Sequence, residues 1–267
     1  MSDRIAEYWG RERLAESILE LLAGLGKDLD RLTIDDLAAS DQFHGGGKPV
    51  TVRLARRAAP APGTRVLDVG GGLGGPARTL AVEFGCDVTS VDLTPSYVRA
   101  AETLTAKLKL GDRVRHQVGN ALELPFPDAS FDMVWTQNSG MNIADKERLY
   151  AGFARVLRPG GLLAIQEPMA GPTSPVLYPV MWARDASTSF LRPPDEMRAT
   201  IERAGFQVRH WDDVTDESAN PANAAELPAH NIQRIVMGEA LTAIRATGER
   251  NRAERRLLLI QAVATRV

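Results

Sequence analysis

The stretch Arg65-Val66-Leu67-Asp68-Val69-Gly70-Gly71-Gly72-Leu73-Gly74-Gly75-Pro76 decides the fold. A short apolar run ends in a glycine-rich turn, and residues 76–84 then take up a helix-compatible pattern. Strand, glycine turn and helix make the first half of a βαβ unit. Working outward, residues 88–92, 114–118, 131–135 and 161–167 read as further strands, and 96–108 and 146–157 as helices between them. Such alternation predicts a parallel sheet with helices on both faces, whose ligand sits beyond the carboxyl ends of the strands. Upstream, Pro60-Ala61-Pro62-Gly63 marks a boundary. Before it lie an amphipathic helix over 4–25 (Ile5, Leu14, Ile18, Leu21), a second helix capped by Thr33, a polar loop with Gly45-Gly46-Gly47, and a helix over 49–59. Downstream, residues 168–192 are rich in Pro, Met, Trp and Tyr without a period and read as an insertion over the site. A helix over 194–204, an extended segment over 206–214, a helix over 231–249 and a last strand over 257–267, added at the sheet edge, complete the reading.

Gly70, Gly72 and Gly75 satisfy G-x-G-x-x-G, and Asp92 lies 20 residues beyond Gly72. Glycine lets the backbone approach a ligand, and a carboxylate can accept from both ribose hydroxyls. A dinucleotide-binding oxidoreductase shares these features. Asp68, two residues before the first glycine, separates the readings. A pyrophosphate over the helix N-terminus is repelled by negative charge there, whereas a ligand carrying ammonium or sulfonium charge is attracted. In this, Val66-Leu67-Asp68-Val69-Gly70-Gly71-Gly72 resembles motif I of the class I S-adenosylmethionine (SAM)-dependent methyltransferases.

Three more segments, in order, are similar to that family. Asp92-Leu93 looks like its acidic ribose clamp. The run Gly119-Asn120-Ala121-Leu122-Glu123-Leu124-Pro125-Phe126-Pro127-Asp128-Ala129-Ser130-Phe131-Asp132 resembles its "G-D-A-x-x-L-P-F-x-D-x-S-F-D" segment. Leu157-Arg158-Pro159-Gly160-Gly161 resembles its "L-R/K-P-G-G" turn. The resemblance covers about residues 60–215 and is nearest to ubiquinone/menaquinone and sarcosine/dimethylglycine methyltransferases. It implies a Rossmann-like, seven-stranded, mostly parallel sheet with an N-terminal helical cap over 1–59, a core over 60–267 and a lid near 168–192. It also implies SAM as cofactor and S-adenosylhomocysteine as product. By resemblance, Asp68 and Gly70, Gly71 and Gly72 hold the methionine part, Asp92 and Leu93 the ribose, and Asn120 with Ala121 the adenine; Gln137 and Asn138 lie beside the methionine. The adenine-side residue is usually Asp, and Asn120 departs from that, although its amide oxygen still accepts a proton.

For the acceptor, His44 is singled out as a base, because its polar loop matches the place of a lid segment with a histidine; a structural tie between cap and core is the equal alternative. Glu167, at the end of the fifth strand, points toward the same crevice, although a salt bridge to an arginine is the simpler reading. Met141, Asn142 and Trp182 are expected to wall the acceptor. His116 reads as strand-embedded, and His210 and His230 lie far from the motifs. The loop after the fourth strand gathers amides rather than carboxylates, so no metal is expected.

Composition narrows the class. Lys and Arg number 32 against 34 Asp and Glu, which argues against a nucleic-acid partner. The single cysteine, Cys86, excludes an internal disulfide and reads as a core thiol. No apolar run reaches a membrane span and no signal segment opens the chain, so a cytoplasmic enzyme without membrane insertion is expected, with a homodimer left open. The function implied is methyl transfer to a small-molecule O, N or C nucleophile of specialised-metabolite or quinone-like type. The alternatives are an NAD(P)-dependent oxidoreductase, which Asp68 and the lack of a Tyr/Lys pair disfavour, and a SAM-binding protein without turnover.

Overall fold

The computed structural model describes residues 8–217 and 232–267. Ile5, His230 and the first residue of the helix expected over 231–249 lie outside the described residues. The cap holds α1 (Leu14–Gly24), α2 (Ile34–Asp41) and α3 (Gly47–Ala58). The helix expected over 4–25 is interrupted: the chain turns after Trp9, and Arg13 takes a left-handed φ of 56° before α1 starts. Gly10 in this stretch is a poor helix residue. Thr33 caps α2 as expected, in a capping box with Asp36.

Past the Pro60–Gly63 boundary come β1 (Arg65–Val69), α4 (Gly75–Phe84), β2 (Asp87–Asp92), α5 (Pro95–Lys107), β3 (Val114–Val118), β4 (Phe131–Gln137), α6 (Lys146–Val156) and β5 (Leu157–Ala170). The chain ends with α7 (Pro194–Arg203), β6 (Phe206–Asp213), α8 (Ile232–Met237), α9 (Leu241–Ala253) and β7 (Leu257–Arg266). The helix expected over 231–249 is two helices, parted at Gly238, whose φ is +56°.

The seven strands run in the order β3-β2-β1-β4-β5-β7-β6. All neighbours are parallel except β7, which is antiparallel to both β5 and β6. β7 is therefore not the edge strand expected from sequence. Its residues Ile260–Ala264 are buried on both faces, as an interior strand requires, while β6 exposes Gln207, Arg209 and His210 and takes the edge. Strand order reverses between β1 and β4, which opens a crevice above the carboxyl ends of β1, β2 and β4. The cap closes on that end through one apolar cluster joining Leu14, Ile18 and Leu37 to Leu73 and Tyr97 of the core. Cys86 is buried in the core beneath α4. No helix among the described residues is long and apolar enough to cross a membrane.

Candidate active site

β1 delivers Asp68 and the glycine loop, β2 ends on Asp92, and β4 ends on Gln137. The loop turns sharply at Gly70, whose φ is +75° and whose N–H donates to the Val91 carbonyl at 2.8 Å. A Cβ on Gly71 would stand 2.0 Å from Ser90 Oγ and 2.6 Å from Asp68 Oδ2, so only glycine fits. Gly72 is different: nothing lies within 4 Å of its notional Cβ, and its backbone borders open space.

Asp68 is 1% exposed, and its Oδ2 has no hydrogen-bond partner. Burial, reinforced by the charge of Asp92, pushes its carboxyl up to about 7. Asp92 accepts from the Gly72 N–H at 2.9 Å and the Thr94 N–H at 2.8 Å, and burial still raises it. Two neighbouring carboxylates, both resisting ionisation, leave the site short of positive charge. Asn120 Oδ1 accepts from the Leu122 N–H at 3.0 Å, which fixes its amide at the third strand's end.

A cavity of about 380 Å³ fills the crevice. Its wall brings together Gly70, Gly71, Gly72, Asp92 and Leu93, then Asn120, Ala121, Gln137 and Asn138, with His44 and Asn142 across from them. Asp68 sits just behind Gly71. Met141, Glu167 and Trp182 are outside the wall. Met141 and Trp182 pack on each other with Val180 and Ala183. Glu167 Oε1 accepts from the Gly140 N–H at 2.8 Å and the Ser139 N–H at 3.2 Å, and thus holds the turn after β4. Lys146 braces the same turn through the Gly140 and Ile143 carbonyls, and burial pushes its amine down to about 8. The arginine salt bridge expected of Glu167 is replaced by these backbone donors. Residues 168–192 contribute nothing to the cavity wall; the Tyr8 hydroxyl donates to the Met181 carbonyl at 3.2 Å and holds that segment to the cap.

A family model described as a methyltransferase domain matches residues 67–165, from β1 to β5. Methyltransferase GfsG from Streptomyces halstedii is 31% identical over 207 residues, which covers 76% of this chain and 74% of the relative. The chain belongs to the class I SAM-dependent methyltransferases. The enzyme transfers a methyl group from SAM to a small-molecule acceptor. The 27-O-demethylrifamycin SV methyltransferase of Amycolatopsis mediterranei is 33% identical over 169 residues, 62% of each chain. In fold, the geranyl diphosphate C-methyltransferase from Streptomyces coelicolor superposes with a TM-score of 0.72 at 18% identity, over 100% of this chain and 98% of that one. These relatives are methyltransferases by name and lend nothing to the oxidoreductase alternative.

The residues present fit the cofactor. The unpartnered Asp68 oxygen suits a ligand that carries ammonium and sulfonium charge, and the open backbone at Gly72 leaves room for it. A pyrophosphate would instead meet two buried carboxylates. Among the described residues no group of three or more His, Cys, Asp or Glu could hold a metal ion.

Sequence reasoning missed Trp9, Phe43 and Tyr97, whose rings meet edge to face or tilted and line the cavity. Phe43 adjoins His44 in the loop and could have been included on that ground, but Trp9 carries no local signal. It also missed Asp41, which lines the cavity and pairs with fully buried Arg78 at 2.8 Å, tying the end of α2 to α4. Arg78 in turn donates to Thr105 Oγ1 at 2.9 Å, and Thr105 meets His116 Nε2 at 2.8 Å. His116 is held down to about 3 by burial and by Arg78.

Proposed function

We propose that the enzyme O-methylates a neutral, largely apolar hydroxyl compound and that His44 accepts its proton. One observation carries this reading: the cavity wall combines aromatic rings, amides and a neutral histidine and includes no lysine or arginine among the described residues. Desolvation pushes the His44 imidazole down to about 4, so it is uncharged at neutral pH. An acceptor with a phosphate or diphosphate would find no cation in that wall. An amine would arrive as ammonium with its lone pair blocked, and an imidazole pushed down to about 4 is too weak a base to free it. The loop after β4 offers amides and no free carboxylate for a carbocation, which disfavours carbon methylation. The relative named for 27-O-demethylrifamycin supports oxygen as the acceptor atom.

We further assign the cofactor's methionine part to Asp68, Gly70, Gly71 and Gly72 with Gln137 and Asn138, its ribose to Asp92 and Leu93, and its adenine to Asn120 and Ala121. When bound, SAM supplies a methyl group already activated by the sulfonium, so the protein is left with alignment, desolvation and the proton. The glycine loop and Asp92 fix one reactant from below, and Trp9 and Phe43 shield the other from water. As the new C–O bond forms, the hydroxyl proton becomes strongly acidic, and even a depressed imidazole takes it. Asn142, whose Nδ2 donates to the Trp182 carbonyl at 3.1 Å and the Thr188 carbonyl at 2.7 Å, offers its position as a neutral wall rather than a donor.

Incubation with methyl-labelled SAM and panels of phenols, aliphatic alcohols, amines and prenyl diphosphates tests this. Turnover is expected for hydroxyl compounds alone. A labelled amine, or a product carrying the methyl on carbon, refutes it.

A further inference from the structure

His44 has two ring nitrogens, and which of them carries the proton decides which can act as base. Nε2 lies 3.0 Å from Gln42 Oε1 and 3.0 Å from Thr51 Oγ1, whereas Nδ1 lies 3.3 Å from the Gly45 carbonyl. Gly45–Gly47 folds the loop back, with φ of +85° at Gly46 and +59° at Gly47, so that Gln42 after α2 and Thr51 in α3 meet the same ring nitrogen. These groups belong to a longer chain of hydrogen bonds, and both of its ends have only one role open to them.

At the sheet end stands the Trp135 indole, a donor only. It donates to Gln137 Oε1 at 3.0 Å, which turns the oxygen of that amide toward Thr51. The Thr51 hydroxyl is 3.1 Å from this oxygen and 2.9 Å from Gln42 Oε1. Its single proton has three neighbours to choose from, these two oxygens and His44 Nε2 at 3.0 Å, so this end alone leaves the tautomer open. At the helix end stands the Gly75 carbonyl, an acceptor only, to which the Thr79 hydroxyl donates at 3.0 Å. Thr79 Oγ1 therefore accepts, and Gln42 Nε2 donates to it at 3.0 Å, which turns Gln42 Oε1 toward His44. The helix end decides it: Gln42 Oε1 at 3.0 Å from Nε2 is a closer acceptor than the Gly45 carbonyl at 3.3 Å from Nδ1, so Nε2 is the N–H and the Thr51 proton goes to a carbonyl oxygen.

We propose that Gln42 and Thr51 are positioning residues that hold His44 as the Nε2–H tautomer, so that Nδ1 is the nitrogen that takes the acceptor's proton. This rests on His44 being the base. In the step, the acceptor oxygen forms the bond to carbon, the electron pair of the broken carbon–sulfur bond stays on sulfur, and the hydroxyl proton moves to Nδ1. The Gly45 carbonyl, which already accepts from Gln166 Nε2 at 3.4 Å, then has a proton donor in Nδ1–H and steadies the imidazolium until it is lost to solvent. The groups bonded to the ring are uncharged, Gln42, Thr51 and Gly45 of the cap, and behind them Gln137 meets Thr51 and Gln166 meets the Gly45 carbonyl. The nearest charges are engaged elsewhere, Asp41 with Arg78 and Lys48 with Asp35 and Glu83.

Nitrogen-15 NMR of the free enzyme, labelled at histidine and assigned by the signal lost in His44→Gln, reads the tautomer without any activity assay. A protonated, pyrrole-type Nε2 and a pyridine-type Nδ1 at neutral pH are expected; the reverse pattern overturns the proposal. Gln42→Glu places a carboxylate against Nε2–H and should move the acidic limb of kcat/KM upward by about 1–3 pH units. The affinity for S-adenosylhomocysteine should be unchanged, because Gln42 is outside the cavity wall. A limb that does not move overturns the positioning role. Full turnover in His44→Ala, by contrast, removes the base reading itself, whichever tautomer the spectrum gives.

Discussion

Asp68 makes cofactor affinity a function of pH. Its carboxyl is pushed up to about 7 in the free protein, chiefly by burial and next by Asp92. An acid raised in this way holds its proton below that pH, and a cationic ligand binds only the ionised form. If Asp68 faces the cofactor's ammonium, the apparent dissociation constant grows as the protonated fraction grows, about fivefold from pH 7 to pH 6 and about fiftyfold from pH 7 to pH 5. Binding at pH 7 should also release about half a proton. Asp68→Asn removes both the charge and the slope: affinity at pH 7.5 should fall about ten- to a hundredfold, as for loss of a charge-assisted hydrogen bond of about 1.5–3 kcal/mol, and stay flat with pH. Stability should move the other way. The folded state binds this proton more tightly than the unfolded chain, so the charged form destabilises the fold as pH rises through the window from ordinary carboxylate values to about 7. At pH 8 the asparagine variant should therefore melt higher, by about 2–4 °C for each kcal/mol gained. Titration calorimetry with S-adenosylhomocysteine in two buffers of different ionisation enthalpy measures affinity and proton release together. Equal affinity at pH 6 and pH 7.5 with no proton released would refute the assignment of Asp68.

Asp92→Ala should weaken S-adenosylhomocysteine by roughly 1.5–3 kcal/mol, since it removes a ribose acceptor and the anchor of the Gly72 N–H; unchanged affinity in calorimetry would sink the ribose assignment. His44→Ala should lower kcat about a hundredfold or more, with little change in cofactor affinity, and comparing single-turnover rates with binding separates the two. The same histidine bears on stability: its folded pKa of about 4 lies below the unfolded value, so the unfolded chain binds more protons and stability should be lost as pH falls from 6.5 toward 4. Chemical denaturation of wild type and His44→Ala across that window reads the difference. Glu167→Gln keeps an oxygen for the Ser139 and Gly140 amides and removes a buried charge, so turnover should stay within a few-fold of wild type; a loss as large as that of His44→Ala would return Glu167 to the acceptor.

The core was legible because its signals are local. A strand, a glycine turn that tolerates no side chain at Gly71, and Asp92 at the next strand end are set by residues near one another in the chain. The wall residues on the glycine-loop side of the cavity followed from them. β7 was misplaced because apolar, β-branched residues announce a strand but not its neighbours; only the burial of both faces shows that it is interior. The rest of the wall depends on contacts across long separations. Trp9 reaches the cavity from the far end of the chain, and Asp41 is held by Arg78, 37 residues on. Met141 and Trp182 do meet, but against each other, in an apolar cluster with Val180 and Ala183 outside the cavity wall.

The electrostatics of the cavity explain why amides recur around it. Asp68 and Asp92 are both raised by burial, so the protein itself supplies little positive charge here. A lysine or arginine in the wall would satisfy them permanently and compete with the cofactor's own cation. Neutral donors and acceptors stand in and behind the wall instead: Thr51 links Gln42 to Gln137, Gln166 Nε2 donates to Asn138 Oδ1 at 3.1 Å, and Gln261 Nε2 donates to Gln166 Oε1 at 2.8 Å. This shell orients without adding charge, and it leaves the two carboxylates to be balanced by the ligand. On the proposed reading, the lack of lysine and arginine among the described wall residues both favours SAM and turns away an anionic acceptor, so the two selections share one physical origin.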